Sequence, residues 1–400
     1  MSLGYFSPRS GRAGAHRVAF DRMLSTLFVP ALVVASPASF DASVAFRAGV
    51  ASRGLSPDEI VAAFESSSSI SEFARRAVAG ADDGPARAHR LYDAILELKR
   101  SGSIEGDRNN TPKVRRPKTA DELLRAARDQ HAGDRRAGCY ELSALFVAAG
   151  RSIGLDVVGV ERDEAAGTGQ IGHVMAGVRF EEGGRLTIFD LQNETRGSRW
   201  RIRELGDFEL AAHHYNHIAV AAFLRGALDA ARRAIDVALA LAPDAPSFLN
   251  NRATILAGQG EPILAMAEAV YAVHLAPDVP LYRYQLGRLH LMVGEVERAI
   301  EVLGQALELQ PRYGLARRDL GWAYLLANQP QRAERELRRA MRDDANTPDG
   351  ELYLGLLLLT RGDRRGALEI AAMALKKDAS SEALAALRRM ASGSEAGGEG

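Results

Sequence analysis

Cys139 is the only cysteine in this chain of 400 residues, and its position suits a nucleophile. It follows Gly138 and begins a segment in which Leu142, Phe146 and Ile153 share one side of a helix. The first turn of a helix has unpaired backbone N–H groups and the positive end of the helix dipole, both of which favour an anion. Since the thiolate is the nucleophilic form of cysteine, the segment predicts a reactive thiol. The alternative is a small apolar residue of the core, because free cysteine is among the most buried residue types.

Two strands downstream of this helix carry a histidine and an aspartate on one face. His173 begins a segment of alternating polarity, and Asp190 lies near the end of the return strand after a turn at Gly183-Gly184. A two-residue loop pairs position 173 with 194 and a four-residue loop pairs it with 192, so Asp190 shares the face of His173 in both registers. In the second register they are diagonal neighbours about 7–8 Å apart. Because a thiol nucleophile needs a base and the base needs an orienting group, Cys139, His173 and Asp190 predict nucleophilic catalysis.

The segments around these three residues resemble the transglutaminase-like superfamily, a branch of the papain-like thiol enzymes. The resemblance covers roughly residues 85–195 and rests on Lys118–Leu124, Ala137–Leu145, Arg151–Leu155, Gly172–Val174 and Phe189–Leu191. It implies an α+β domain, with helices packed on an antiparallel sheet, in which Cys139 is the nucleophile, His173 the base and Asp190 the third member. Tyr140 stands where many members have a tryptophan, and Met175 where many have an aromatic residue.

The elements that must position these residues are predicted from capping patterns. Ser56–Glu59 has the pattern of a helix start, helices are expected over 71–79 and 85–100, and Thr119–Glu122 is a capping box that opens a helix to about residue 130. After Gly154 ends the helix of Cys139, residues 156–161 read as a strand. His131, in the loop before Cys139, is an alternative base. We expect the basic cluster within residues 101–118 (Arg108, Lys113, Arg115, Arg116 and Lys118) to be a solvated loop rather than a substrate contact.

Residues 212–379 repeat with a period of 34. Alanines recur at 231, 265, 299, 333 and 367 and again at 238, 272, 306, 340 and 374, small residues recur at 219, 253, 287, 321 and 355, and prolines stand at 243, 277 and 311. Small residues let paired helices approach closely, and the proline ends the second helix of a pair. This pattern predicts five units of a tetratricopeptide array, an all-α solenoid whose groove binds a peptide or a partner protein.

The groove of the array is predicted to carry the partner-binding residues. These are Asn216, Asn250, Tyr284, Arg318 and Trp322, one or two from the first helix of each of the first four units. The segment His213–His217 has three histidines but no carboxylate or cysteine companion, so we expect no metal site there and no cofactor elsewhere.

The composition limits the classes of function. The 51 basic and 51 acidic residues give a net charge of zero, so nothing indicates a nucleic-acid partner, and no apolar run reaches the roughly 18 residues of a membrane span. Residues 1–40 form a basic leader with an apolar run over 24–35, which fits either an export signal, for the periplasm or secretion, or a disordered arm of a cytoplasmic protein. We therefore expect a leader at 1–40, a transglutaminase-like domain at 41–210, the array at 211–380, and a capping helix with a flexible tail at 381–400.

Two functions follow from this organisation. The first is thiol-dependent acyl transfer on amide or peptide substrates, as in a peptidase, an amidase or a transglutaminase, with the array binding a protein partner or the substrate. The second is a non-catalytic scaffold in which the array does the binding and the transglutaminase-like domain serves only as a further binding part. The departures at Tyr140 and Met175 motivate the second function.

Overall fold

The computed structural model of the chain describes residues 42–106, 117–129, 134, 136–162, 173–181, 183–197, 202–343 and 348–393. The leader at 1–40, the basic segment 107–116, His131, the glycine-rich segment 165–172 and the tail from 394 lie outside these residues. In the first half of the chain the helices are α1 (Ala42–Ser52), α2 (Ser68–Ala77), α3 (Gly84–Arg100), α4 (Ala120–Arg128) and α5 (Cys139–Ser152). The strands are β1 (Glu105–Gly106), β2 (Arg136–Ala137), β3 (Asp156–Arg162), β4 (Val174–Arg179), β5 (Thr187–Asp190), β6 (Thr195–Gly197) and β7 (Ile202–Leu205).

Helix α5 is the centre of this half. Every residue from Cys139 to Gly150 is buried, which is what a helix that is apolar on all sides requires. One side packs on β3 and β4 and the other on α2, α3 and α4. The helix begins where Gly138 N donates to Glu141 Oε2 over 2.7 Å, and the chain leaves it through Gly154, whose φ of +79° suits glycine. The helix predicted from the spacing after Cys139 is therefore present, and its first residue is the cysteine.

The five-stranded sheet is antiparallel, with the strand order β6-β5-β4-β3-β7. In the β4–β5 hairpin Ala176 pairs with Phe189, which is the register of the four-residue loop. The turn closes with Gly184 N donating to Glu181 O over 2.9 Å. In this register position 173, just before β4, lies opposite 192, so that Asp190 is the diagonal neighbour of His173. Strands β6 and β7 were not predicted, because each has only three or four residues and no clear alternation.

The helix predicted from Ser56 does not form, and that prediction is wrong. Residues 53–67 are turns and extended backbone. Tyr215 Oη donates to Glu59 O over 3.0 Å and accepts from Val61 N over 2.9 Å, while Ala63 O accepts from Ala120 N over 2.7 Å. Because distant partners take these backbone groups, the segment cannot also make the i to i+4 bonds of a helix. The capping box at Thr119 and Glu122, by contrast, is present in full and starts α4.

The second half of the chain is a helical solenoid. Its helices are α6 (Asp207–Leu224), α7 (Leu228–Leu241), α8 (Pro246–Gly258), α9 (Pro262–Leu275), α10 (Pro280–Met292), α11 (Val296–Leu309), α12 (Gly314–Leu326), α13 (Pro330–Asp343), α14 (Asp349–Thr360), α15 (Arg364–Lys377) and α16 (Glu382–Ser392). Helices α7, α9 and α11 each end two residues before the repeat proline, as its missing N–H requires. None of the described helices combines the length and apolarity needed to cross a membrane.

Small residues explain the period of this solenoid. The repeat alanines, such as Ala231 and Ala265, are completely buried. At Gly287 a Cβ atom would lie 2.6 Å from the side chain of Leu303, so α10 and α11 approach too closely for any larger residue.

Helix α6 belongs to both halves of the chain. It begins at Asp207, a few residues before the predicted boundary at 210/211. Its Leu210 packs on Gly159 of β3, where an added Cβ would be 3.0 Å away, and the helix also pairs with α7. As a result one apolar core runs continuously from Phe46 to Tyr282, through the sheet and into the third unit of the solenoid, and the later units have separate clusters.

Candidate functional site

The first residue of α5 places the thiol of Cys139 beside the ring of His173. Only 4% of Cys139 and 2% of His173 are exposed to solvent. Cys139 lies close enough to the imidazole to raise the pKa of His173. Helix α5 is fixed to β4 next to this contact, since Ser143 Oγ donates to Val174 O over 3.0 Å. The residue that begins the helix and the residue that precedes the strand are thus brought together, as the sequence pattern predicts.

Asp190 completes the group from the neighbouring strand. His173 Nε2 lies 2.8 Å from Asp190 Oδ2, and both side chains are buried. With Nε2 paired in this way, Nδ1 is the ring nitrogen that is available to the thiol. The three residues therefore stand in the order thiol, imidazole, carboxylate, which is the arrangement of a nucleophile, its base and the orienting group of that base.

Asn193 is a member of the site that the sequence analysis missed. Its Nδ2 donates to Asp190 Oδ2 over 2.8 Å and lies 3.4 Å from His173 Nε2. Asp190 Oδ1 accepts from the backbone N of Gln192 over 3.1 Å and of Asn193 over 3.0 Å. The signal was present in the segment Asp190–Asn193, because an aspartate commonly accepts from the backbone N–H two or three residues later in a turn.

A half-buried lysine holds the turn that carries Asn193. Lys99 Nζ of α3 donates to Leu191 O over 2.8 Å and pairs with Glu194 over 3.0 Å. Glu194 has a φ of +56°, a backbone region that residues other than glycine seldom occupy. The turn between β5 and β6 therefore keeps a strained backbone that the lysine fixes in place.

The surroundings of the site act on both ionisable partners. Burial disfavours the charged ring of His173, but hydrogen bonds with Asp190 and Cys139 outweigh it and raise the pKa of His173 to about 10. Burial likewise opposes ionisation of Asp190, while the bond and charge of His173 and the bonds from Asn193 outweigh it and lower the pKa of that carboxyl. Both shifts favour the pair of an imidazolium and a carboxylate.

The two departures from the transglutaminase-like pattern face the interior. The ring of Tyr140 is stacked between α5 and α6, 5.3 Å from His217 and 6.5 Å from His213, and its buried hydroxyl has no hydrogen-bond partner among the described residues. Met175 is buried with Val160 and Ile188 in a small apolar cluster. Both residues therefore pack in the core around the site.

The histidine segment of α6 is part of the same interior. His213 Nε2 lies 3.7 Å from Glu161 Oε1, and burial lowers the pKa of His213 despite this carboxylate. Within the described ranges no group of three or more histidine, cysteine, aspartate or glutamate side chains could hold a metal ion.

The residues predicted to bind a partner are spread along the solenoid, and most contact the next unit. Asn216 Oδ1 accepts from Asn251 Nδ2 over 2.8 Å, and Asn250 is buried. Trp322 stacks on Tyr353 with ring centroids 4.9 Å apart.

Tyr284 and Arg318 form a charged cluster in the middle units. Arg318 pairs with Asp319 over 2.7 Å and with Asp349 over 2.6 Å, and it lies 3.4 Å from Tyr284 Oη. Burial, followed by the charge of Asp319, raises the pKa of Tyr284 to about 12. These side chains link successive units, and Tyr284 is buried while Arg318 is half-buried.

Comparisons with known proteins identify the repeat region. Residues 290–356 match the tetratricopeptide repeat family. Among solved structures, TTC0263, a thermophilic tetratricopeptide protein of Thermus thermophilus, is 24% identical and covers 45% of this chain and 98% of its own, with a TM-score of 0.42. The pilF protein of Pseudomonas aeruginosa is 19% identical over 47% of this chain and 86% of its own, with a TM-score of 0.43. YrrB, a tetratricopeptide protein with an unusual peptide-binding site, is 18% identical over 44% of this chain and 92% of its own, with a TM-score of 0.35. No curated protein matches the chain. The matched residues 290–356 lie within the helical solenoid of the C-terminal part, which is therefore tetratricopeptide-like.

Proposed function

We propose that the chain is a thiol-dependent acyl-transfer enzyme whose tetratricopeptide array binds a protein partner or a peptide substrate. The observation that carries this proposal is the buried group formed by Cys139 at the start of a helix, His173 just before a strand and Asp190 at the end of the next strand. A merely structural cysteine has no need of an imidazole that is itself held by a carboxylate at 2.8 Å. Tetratricopeptide arrays bind peptides or proteins, and this gives the enzyme a means of choosing its substrate.

The architecture around the site supports a transglutaminase-like, papain-related assignment of the first half. A buried helix that begins with the nucleophile packs on an antiparallel sheet, and adjacent strands of that sheet supply the base and its orienting group. Each feature was expected from the resemblance of the sequence to that superfamily.

The proposed reaction is acyl transfer in two steps. Cys139 Sγ attacks the carbonyl carbon of an amide, and the backbone N–H of Cys139, at the open end of α5, donates to the oxyanion. His173 gives its proton to the amide nitrogen, the C–N bond breaks, and the amine leaves a thioester on Sγ. A water or a second amine then attacks the thioester while His173 takes its proton, and the C–S bond breaks to free the thiolate. Asp190 keeps the ring oriented through both steps.

The experiment that tests this proposal measures alkylation of Cys139 by iodoacetamide at pH 6 in the wild-type chain and in His173→Ala. A charged imidazole beside the sulfur makes a cysteine reactive at a pH where an ordinary thiol, with a pKa of about 8.5, is not. We expect at least about tenfold slower alkylation in His173→Ala. Ser143→Ala is the matched control, because it loses a hydrogen bond between the same helix and strand but leaves the three site residues in place.

Mass spectrometry adds a test of turnover. After incubation with a peptide mixture, an acyl adduct should be found on Cys139 in the wild-type chain and not in Cys139→Ala. Equal, slow alkylation of the wild type and His173→Ala, with no adduct, would show that the site is inert.

The second candidate function is a scaffold in which the first half of the chain has no catalytic role. The family match falls on the array, and Cys139 is almost completely covered. Under this alternative, Cys139→Ala and His173→Ala bind the partner with the affinity of the wild-type chain, and the thiol of the wild type is no more reactive than that of an ordinary buried cysteine.

A further inference from the structure

The outward face of the second helix in the second unit is apolar. On α9 the solvent-facing positions are Ile263, Leu264, Ala267, Val270, Tyr271 and His274. Ile263 is 68% exposed, and Val270 is 53% exposed. A soluble helix normally has polar residues on this side, so the face indicates a contact with another surface.

The same six positions are mostly charged in the next two units. Thirty-four residues later, α11 has Glu297, Arg298, Glu301, Gly304, Gln305 and Glu308, an acidic set. After another 34 residues, the equivalent positions of α13 form a strongly basic set: Gln331, Arg332, Arg335, Arg338, Arg339 and Arg342. The buried positions of these helices are therefore similar from unit to unit, whereas the polarity and charge of the outward face differ in each unit.

Several of these charges are not neutralised within the chain. Among the described residues, Glu308, Arg335 and Arg342 have no ion-pair partner, and Glu301 meets only the amide of Gln305 at 3.4 Å. An acidic helix face and a basic helix face at equivalent positions of adjacent units are complementary to each other in a second copy of the chain.

We infer that the outer face formed by α9, α11, α13 and α15 is the interface of a homodimer. The two-fold axis of this dimer lies in the interface, parallel to the helices and between α11 and α13. Rotation about it reverses the order of the units in the partner subunit, so that α11 lies over α13 of the partner subunit. At equivalent positions Glu301 then faces Arg335 of the partner subunit, and Glu308 faces Arg342 of the partner subunit. The symmetry repeats both pairs, so the interface has four of them.

At both ends of this face the same axis brings apolar and charged side chains together, with Ile263 opposite Arg365 of the partner subunit. It places α9 over α15 of the partner subunit, where Tyr271 meets Met373 of the partner subunit. Tyr271 is 41% exposed and Met373 is 50% exposed in the single chain. An anionic lipid surface or a nucleic acid fits less well, because the acidic face of α11 lies between the apolar and the basic faces and would be repelled.

The test is sedimentation velocity of the full chain between about 1 and 100 µM in about 50 mM NaCl, where charge pairs are weakly screened. The variant Glu301→Arg/Glu308→Arg and the variant Arg335→Glu/Arg342→Glu each turn all four pairs into repulsions, so each should raise the dimer dissociation constant at least about tenfold. An equimolar mixture of the two variants restores every pair in the heterodimer and should dimerise as the wild type does. The control Glu65→Arg/Asp278→Arg makes the same change in net charge as Glu301→Arg/Glu308→Arg, at exposed residues off this face.

Three results would overturn the inference. A wild-type chain that stays monomeric at about 100 µM would show that this face is not a homodimer interface, and a different protein would then be its partner. A dimer that neither double variant weakens would use another surface. A mixture of the two variants that remains monomeric would show that the faces do not meet as proposed. Recovery in the mixture also demonstrates that both variants are folded.

Discussion

Replacing Asp190 with asparagine should remove the positive charge of His173 at neutral pH. The substitution keeps the size of the side chain and takes away the charge that lies 2.8 Å from His173 Nε2. A pKa raised to about 10 favours the protonated ring at pH 7. Without the carboxylate, only Cys139 still opposes burial, which favours the neutral ring. Even at the ordinary pKa of about 6.5 only about a quarter of the molecules would be protonated at pH 7.

The free energy by which these contacts favour the charged ring of His173 is large. The difference between pKa values of about 10 and 6.5 corresponds to about 5 kcal/mol of preference for the charged ring, shared between Asp190 and Cys139. Because the pKa of His173 is raised in the folded chain, its contribution to stability is complete below about pH 6.5 and is lost as the pH rises towards 10. The pKa of Asp190 is lowered, so its contribution is present above pH 3.8 and is lost as the pH falls below that value.

NMR titration of the histidine rings measures this effect directly. The chain has nine histidines, and His173→Gln identifies the signals of His173 by their loss. In Asp190→Asn we expect the titration midpoint of His173 to fall below about 7 and the iodoacetamide rate at pH 6 to fall at least about tenfold. Asp156→Asn, which removes an exposed carboxylate that pairs with Arg179 in the same sheet, should change neither. A midpoint of His173 that stays above about 9 in Asp190→Asn would refute the role given to this carboxylate.

Three further predictions concern the turn, the array and the effect of pH. Asn193→Ala removes one donor to the Asp190 carboxylate, so the pKa of that carboxyl should rise and alkylation of the thiol should slow about threefold, as NMR and rate measurements can show. Gly287→Ala should lower the free energy of unfolding by about 1–3 kcal/mol in urea titrations because of overpacking, whereas Gly304→Ala, with open space around it, should raise it by about 0.5–1 kcal/mol. Since burial lowers the pKa of His213, stability should fall below about pH 6.5, and His213→Phe should lessen that loss in unfolding curves at about pH 5 and 7.5.

The parts of the fold that local chemistry determines were predictable from the sequence. The capping box at Thr119, the helix that starts at Cys139 and the 34-residue period each depend on residues close together in the chain. The hairpin allowed two registers, and Asp190 shared the face of His173 in both, so the pairing of these two residues did not depend on knowing the loop.

The features that were missed depend on contacts between distant segments. Tyr215 of the array bonds to the backbone near Glu59 and so prevents the helix predicted from Ser56. Lys99 reaches across from α3 to hold the turn of Asn193. Neither contact leaves a pattern in the local sequence, because each partner lies far away along the chain.

The shared helix α6 makes the first half of the chain and the beginning of the array one cooperative unit. Because the apolar core is continuous from Phe46 to Tyr282, heating should melt this region in a single calorimetric transition, whose van't Hoff and calorimetric enthalpies agree. The later units, which contact only their neighbours, can unravel from the C-terminal end at lower temperature. A fragment that begins at residue 211 would lack the first turn of α6 and the apolar contacts that this turn makes. The sheet-containing half is thus the N-terminal cap of the solenoid, and its candidate catalytic residues should stay folded while the distant units fray.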